Sequence, residues 1–523
     1  LAFALLLALP IRGNSSYYLF SMKKRIPDIR SSSVDHLSIS NTKRIIILGA
    51  LAAAIATVLI LPTLFRSELA VKKPTPQYIS LVEVKGMLEA HKDTPSELSS
   101  LSHEDLAITW PTWIAQRDAK IRTRVANGEE DSLANLLLNG TSFTKIPQIT
   151  DLYRASLIHQ LGSEEAADRK ISDAITARSI DLAQALSVPG EDERRLIMLD
   201  VASGLGGSAT KTQEDQQKFA QCLFDNLVRY LNQEHAYAKK VSSAKATSPS
   251  DISISLANLY QTRGLSTDTS VLVDYALAQT LQNLYNDKLL GTGSVRRVGV
   301  VGPGLDLIDK YGGYDLHPPQ STQPFILMDT LLKLNLANKE DLRISTFDVS
   351  PRVNQHLERA VRRAGKNQPY IIHLVHDASW NWSPEAVNFW KQCGDQIGKS
   401  LNSLSQTDLG NVTTRTIQVH PDWPARMYSV DLNIVYQRLP LSVNEQFDLL
   451  IATNILCYYN SFEQSLALYN AARMLRPGGI LLSTEILPNF QDTNILQTTS
   501  TSVTTSKSGG YTIFCYQRNS SNL

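Results

Sequence analysis

The sequence predicts an α/β protein in which a C-terminal doubly wound sheet is preceded by an all-α region and a single N-terminal transmembrane helix. Three observations predict it. Residues 45–65 (IIILGALAAAIATVLILPTLF) carry no charge. From about Ser80 to Lys240 charged and apolar residues mix at helical spacing, with few β-branched runs. From Val298 onward short β-branched runs alternate with helical stretches, the pattern of a parallel sheet covered by helices.

The bulk properties bound the function. At 523 residues with 43% hydrophobic and 19% charged content, the chain can bury several cores and is not disordered as a whole. A net charge of +1 with dispersed Lys and Arg gives no footprint for nucleic acid. Cys222, Cys393, Cys457 and Cys515 are far apart and form no C-x-x-C pair. They read as buried free thiols, with neither a zinc site nor a disulfide scaffold.

The Ile45–Phe65 run is long enough, at about 1.5 Å per residue, to span about 30 Å of hydrocarbon. Its flanks are basic, Lys43 and Arg44 before and Arg66 after. Lys23, Lys24, Arg25, Arg30, Lys43 and Arg44 outnumber Arg66, Lys72 and Lys73, so the positive-inside rule predicts a single-pass membrane protein with everything after Phe65 outside the cytoplasm. Met22 followed by Lys23-Lys24-Arg25 has the form of a natural start, with 1–21 an upstream extension or a fragment edge. The domains expected are therefore a basic segment 1–44, the span 45–65, a helical domain 66–241, a polar linker 242–251 (SSAKATSPS and Asp251) and an α/β domain 252–523.

In the helical region Ile171, Ile175, Leu182 and Leu186 fall on one stripe of Ala166–Leu186. Arg195–Val201 followed by SGLGGSATKT imitates a strand and phosphate loop. Leu205 and Thr210 stand where that loop needs glycines, so it reads as a flexible connection between helices. The region is expected to offer a protein partner a helical surface.

In the α/β domain Arg296–Asp306 (RRVGVVGPGLD) is a buried strand running into a tight Gly-Pro-Gly turn, where missing Cβ atoms let a ligand approach the backbone. Leu342–Phe347 is the next strand, ending at Asp348, an acid positioned to accept hydrogen bonds from ribose hydroxyls or to cap the helix Arg352–Ala364. FDLLIATNILCYY (447–459) is a buried strand ending in Asn454, Tyr458 and Tyr459. A helix follows and stops at Arg476-Pro477-Gly478-Gly479, then come strands Ile480–Thr484 and Gly510–Gln517 around a polar Ser/Thr stretch. His373 and His376, three apart in a strand, face opposite sides and do not form a metal pair. Trp380 and Trp382 read as packing groups beside a Ser383 helix cap.

FDLLIATNILCYY, a helix and then MLRPGGILLSTE resemble the second half of a class I S-adenosylmethionine-dependent methyltransferase, with Asn-Ile-Leu-x-Tyr nearest in wording to the chemotaxis receptor methyltransferases. The resemblance covers about Val295 to Arg518, makes 252–523 a methyltransferase-like α/β domain, and implies a Rossmann-like sheet, S-adenosyl-L-methionine as cofactor and a methyltransferase activity. It places Gly302 and Gly304 at the amino-acid portion of the cofactor, Asp348 at the ribose, Asn454 and Tyr458 at the reaction site, and Asp431 with Asn433 near the adenine. Val300 or Val301 stands where the family's first strand carries an acid, and Leu305-Asp306 replace the third glycine. No catalytic base stands out, and methyl transfer can rest on positioning. The function expected is a membrane-anchored methyltransferase-like protein of unspecified substrate. The alternative is a non-catalytic envelope scaffold on the same fold, with a nicotinamide enzyme third.

Overall fold

Arg297–Val301 (β2), β-branched at Val298, Val300 and Val301, is an interior strand of a seven-stranded sheet. The sheet is completed by Arg343–Asp348 (β3), Met427–Asp431 (β7), Phe447–Ala452 (β9), Leu475–Ser483 (β10), Ile495–Ser506 (β11) and Gly509–Arg518 (β12), in the order β11-β12-β10-β9-β2-β3-β7. β2 pairs in parallel with β3 and β9, β3 with β7, and β9 with β10. β12 runs antiparallel to β10 and to β11. From β2 the chain builds outward through β3 to β7, then returns to lay β9 on the other side of β2. This order is a Rossmann-like, class I methyltransferase-like fold, and its switch point lies between β2 and β9.

The computed structural model describes residues 74–519 apart from 92, 127–130, 142, 143, 145, 147, 150, 189, 191, 205–211, 245–264, 310, 311, 402–410, 489–493 and 508. All of them belong to one unit, Pro74–Leu523. The helices before the sheet are Leu81–Ala90 (α1), Ser96–Ser99 (α2), His103–Ala126 (α3), Asp131–Asn139 (α4), Asp151–Leu161 (α5), Glu164–Ser187 (α6), Glu193–Gly204 (α7) and Gln213–Ala244 (α8). Val271–Asn286 (α9) leads into β2, and Gln323–Lys333 (α10), Pro351–Ala364 (α11), Pro384–Gln392 (α12) and Ser461–Met474 (α13) follow. Two short pieces, Gln77–Tyr78 (β1) and Gln437–Arg438 (β8), pair with each other.

Strand alternation divides the apolar side chains between two cores. Val298, Val300, Leu449, Ile451, Ile480 and Leu482 face a core that also takes residues of α4, α6, α8, α9 and α10. Val301, Leu450, Ala452 and Leu481 face the other, built with residues of α1, α3 and α13. The helices of the N-terminal half are thus split between both faces of the sheet. On the second face Trp110 and Trp113 of α3 stack at 5.5 Å, and Trp113 meets the edges of Tyr436 and Phe462 at 6.4 and 6.2 Å. The Trp110 indole N–H donates to Ile79 O at 3.0 Å. On the first face the fully buried Arg178 of α6 donates to Ile146 O at 2.7 Å and to Leu137 O and Gly140 O, satisfying carbonyls at the end of α4. Burial draws its pKa down to about 10, so the guanidinium stays charged at neutral pH.

Between α11 and β7 the chain inserts a three-stranded antiparallel sheet, Tyr370–Asp377 (β4), Gly398–Leu401 (β5) and Val412–Val419 (β6), in the order β4-β6-β5. Its Trp380–Ser383 loop is tied to β11 through Ser383 N to Thr505 O at 2.8 Å and Lys507 N to Asn381 O at 2.9 Å. Ser383 caps α12, accepting from Ala386 N at 3.2 Å. His376 lies among the indoles of Trp382 and Trp390, with centroids 4.8 and 5.1 Å away.

The single-pass membrane architecture is corrected, and with it the membrane partner, the membrane localisation and the membrane-anchored function. Among the described residues no helix is long and apolar enough to cross a membrane. The longest, α3, α6 and α8, carry charges along their length, among them Asp105, Arg117 and Arg124 in α3 and Glu214, Asp225 and Arg229 in α8. Ionised groups at such intervals oppose transfer into hydrocarbon. The Ile45–Phe65 run lies outside the described residues, as do 245–264, which hold most of the expected linker. What the structure supports is a Rossmann-like α/β core preceded by α-helices.

Because Trp110 is packed into a core shared with the sheet, Trp110→Ala is expected to cost about 3–5 kcal/mol. The variant should lower the midpoint of one cooperative transition followed by far-ultraviolet circular dichroism. Melting of helical signal ahead of an unshifted main transition would refute the shared core.

Candidate functional site

At the end of β2 the chain turns through Gly302, with φ +64°, and Gly304, with φ +80°, conformations that cost other residues strain. Their neighbours forbid a side chain as well. A Cβ on Gly302 would stand 2.2 Å from Ile455 Cδ1, and one on Gly304 2.1 Å from Thr269 Cγ2 and 2.8 Å from Thr267 O. The turn is therefore clasped between the loop after β9 and Leu265–Ser270, a strap leading into α9. Leu305 N donates to Thr267 O at 2.8 Å, and Thr269 N to Asp306 Oδ1 at 2.6 Å. Thr267 N donates to Ser132 Oγ of α4 at 2.9 Å, and Ser266 N to the Tyr458 hydroxyl at 3.2 Å.

The other walls come from neighbouring strand ends. Asp348 closes β3, where its Oδ1 accepts from Ser350 N at 2.8 Å. Asn354 Nδ2 holds Asp348 O at 2.9 Å, fixing the turn into α11. After β9, Asn454 adopts φ +57° and donates its N–H to Thr484 Oγ1 at 2.7 Å. The Thr484 hydroxyl in turn donates a hydrogen bond to Glu485 Oε1 at 2.8 Å, so the end of β10 supports the strained residue. Leu456–Tyr458 form a 3-10 turn that swings Tyr458 toward the strap.

These elements enclose a cleft of about 960 Å³, part of it open to solvent, at the carboxyl ends of β2, β3, β7 and β9. Gly302, Gly304, Asp348, Asn454 and Tyr458 all line it. Asp431 does not. It pairs opposite Asp348 in the sheet but turns outward, 63% exposed, to the guanidinium of Arg122 on α3. Asn433 lines the cleft with its amide committed to the fold, Nδ2 donating to Asp118 Oδ1 at 2.9 Å and Oδ1 accepting from Val435 N at 3.1 Å. The wall also takes Val125 at the end of α3, the strap, Gln323 and Thr453. These had no local signal, because chain segments more than a hundred residues apart build one surface. Only the polar run STDTS before α9 hinted at a helix cap.

Beneath the turn lies a buried polar cluster. Asp306 accepts both from Thr269 and, at 3.3 Å, from Thr322 Oγ1, while Gln323 Nε2 donates to Thr453 Oγ1 at 3.0 Å. Burial, then the negative charge of Asp306, push the pKa of Asp274 on α9 up to about 8, against a smaller lowering by Gln323. Burial likewise raises Glu485 to about 7 despite the opposing hydroxyls of Thr484 and Ser483. A second cleft, of about 420 Å³, holds His317 and His373, whose rings stack at 6.3 Å. Burial takes His317 down to about 4 and lowers His373 as well, so both are neutral near pH 7. Among the described residues no group of three or more His, Cys, Asp or Glu is placed to hold a metal ion.

No protein-family model and no curated protein matches the chain. Among solved structures it is similar to the N-methyltransferase NodS from Bradyrhizobium japonicum WM9, at 12% identity over 47% of this chain and 95% of that one, TM-score 0.22. It is similar to an O-methyltransferase family protein from Burkholderia thailandensis, at 14% identity over 81% and 100%, TM-score 0.22. It is also similar to human N-acetylserotonin methyltransferase in complex with SAM, at 10% identity over 80% or more of each chain, 81% and 99%, TM-score 0.21. At these identities and scores the site is read from its own geometry. The resemblance stands at the level of the class I methyltransferase-like fold, set by strand order, and not of the chemotaxis receptor enzymes.

The Asp274 carboxyl yields a pH prediction with a definite sign. Its folded pKa of about 8 lies above the ordinary 3.8, so the folded chain holds a proton that the unfolded chain releases. Its contribution to stability is whole below about pH 4 and is lost progressively as pH rises to about 8. Thermal midpoints of the wild type should fall between about pH 5 and 8 and level above that, and Asp274→Asn should flatten that fall. Parallel pH profiles for the two proteins would remove the assignment.

Proposed function

We propose that the chain is an S-adenosylmethionine-dependent methyltransferase whose cofactor occupies the cleft at the ends of β2, β3 and β9. One observation carries the reading. Gly302, Gly304, Asp348, Asn454 and Tyr458, spread over more than 150 residues of sequence, line one cleft at the switch point of the sheet, where open α/β sheets bind their ligands.

The residues present fit such a cofactor. Gly302 and Gly304 let the turn run at positive φ beside its amino-acid portion, and Asp348 supplies a carboxylate to a pair of ribose hydroxyls. Phe347, Leu432 and Ile434 offer an apolar wall to a purine. Asp431, outside the cleft wall, has no part in this reading. When bound, the cofactor supplies an electrophilic methyl group on a sulfonium. The chain's own work is to hold the acceptor in line with that group and keep water out, for which orientation suffices. Tyr458 and the strap, joined by the Ser266 N–H, close the reacting side. No membrane anchor belongs to this reading.

Calorimetric titration of the full chain with S-adenosylmethionine and S-adenosylhomocysteine tests it. Micromolar binding of one site per chain is expected. Asp348→Ala removes charge-assisted hydrogen bonds to the ribose and should weaken binding by about 30-fold or more. A folded wild-type chain that takes neither compound would mean that the fold serves a purpose other than methyl transfer. Undiminished affinity in Asp348→Ala would move the ribose elsewhere.

A further inference from the structure

A run of hydrogen bonds behind the cleft ties the glycine turn to the first residue of α7. Ser321, fully buried ahead of α10, donates its hydroxyl to Pro303 O at 3.1 Å. Pro303 stands between Gly302 and Gly304, which both line the cleft. The Ser321 backbone N–H donates to the Tyr370 hydroxyl of β4 at 2.8 Å. That hydroxyl lies 2.6 Å from Nε2 of His356 on α11, and His356 Nδ1 lies 2.8 Å from Glu193 Oε1. Segments distant in sequence thus meet in one line that ends on the carbonyl between the two glycines. Arg194, next to Glu193, donates to Leu307 O at 2.8 Å and to His317 O, so α7 also grips the chain that leaves the turn.

The chemistry of the partners gives the line a direction. Burial opposes ionisation of Glu193, but hydrogen bonds and charge from His356 and Arg359 outweigh it and hold the carboxyl below its ordinary range. An ionised carboxylate only accepts, so His356 Nδ1 carries the proton between them. With a single proton on the imidazole every link is made: Ser321 N–H donates to the Tyr370 oxygen, Tyr370 O–H to His356 Nε2, and Nδ1–H to Glu193. Burial pushes the Tyr370 hydroxyl above its ordinary value, which keeps its proton in place. In a buried line of this kind each bond polarises the next, and a member left without its partner is costly.

We propose that Tyr370, aligned by His356 and Glu193, is a positioning residue of the cofactor cleft: through Ser321 it holds the Pro303 carbonyl, and with it the Gly302–Gly304 turn, in the place the cofactor's amino-acid portion requires. The inference rests on the cofactor reading of that cleft. Among the described lining residues none of Ser321, Tyr370, His356 and Glu193 is found, so the effect on a ligand passes through the turn. A turn held in advance spares the bound state the loss of freedom on ordering it. The Tyr370 ring stacks on Phe325 with centroids 4.7 Å apart, so Tyr370→Phe removes the hydroxyl and keeps the packing.

The test is calorimetric titration of the full chain and its variants with S-adenosylhomocysteine. The wild type comes first, so that its failure to bind, which would overturn the cofactor reading and this inference together, is seen separately. Tyr370→Phe and Ser321→Ala are each expected to weaken binding about five- to tenfold. Because both act on one carbonyl, the double variant should lose little more than the weaker-binding single variant. Thr280→Val, which removes an equally buried hydroxyl from α9, should leave the affinity unchanged. Unchanged affinity in either folded single variant, losses that multiply in the double variant, or an equal loss in Thr280→Val would each overturn the proposal. Should Tyr370→Phe fail to fold, Ser321→Ala against Thr280→Val decides it, a loss confined to Ser321→Ala supporting the proposal and equal affinities overturning it.

Discussion

Gly302 and Gly304 are pressed between two chain segments that leave no room for a Cβ. Ile455, after β9, covers the first, and the strap Leu265–Ser270 covers the second. Both glycines also have positive φ, so backbone conformation and packing demand the same residue. The consequence reaches beyond the turn. The strap is the lead-in to α9 and reaches Ser132 of α4 as well as Tyr458, so the glycine turn is the place where the N-terminal helices, the sheet and the loop after β9 are locked to one another. Glycines in such turns are commonly assigned to ligand contact alone. Here the chain's own packing requires them, and the cleft is a result of that packing.

The helices preceding the sheet accordingly act as parts of the core. α1 and α3 pack with α13 on one face, and α4, α6 and α8 with α9 and α10 on the other. Val125, at the end of α3, reaches the cleft wall itself. This arrangement gives the site a preformed enclosure, which the proposed methyl transfer, resting on positioning, would use. It also explains why polar groups at the base of the turn, Asp274 and Asp306, are buried to the point that one of them holds its proton.

Much of the sheet was legible because its parallel strands are buried on both faces. β2, β9 and β10 read as short runs of Val, Ile and Leu, and β3 as a buried Ile-Ser-Thr-Phe run ending in Asp348; the acid at the end of β3 and the Asn-Ile-Leu turn after β9 follow from those boundaries. β11 was not legible. Its sequence, ILQTTSTSVTTS, is mostly Ser and Thr, as suits an edge strand with one solvated side, and it read as a polar connection. The β4-β6-β5 sheet was visible only as one strand, because antiparallel partners separated by α12 leave no local mark. The Asp431 assignment followed sequence position along β7, whereas β7 is the edge strand and that residue lies exposed beside Arg122. The strap lay hidden because a cleft wall assembled from distant segments has no motif. The apolar run at Ile45–Phe65 was the most conspicuous signal in the chain, yet the long helices the structure describes are charged along their length and none can span a membrane.

The most direct measurement is a crystal structure of the full chain with S-adenosylhomocysteine. The account predicts the ligand between the Gly302–Gly304 turn and the Asn454–Tyr458 loop, its ribose hydroxyls on the Asp348 carboxylate and the strap in place over Gly304. A ligand bound elsewhere, or one whose ribose avoids Asp348, would contradict it.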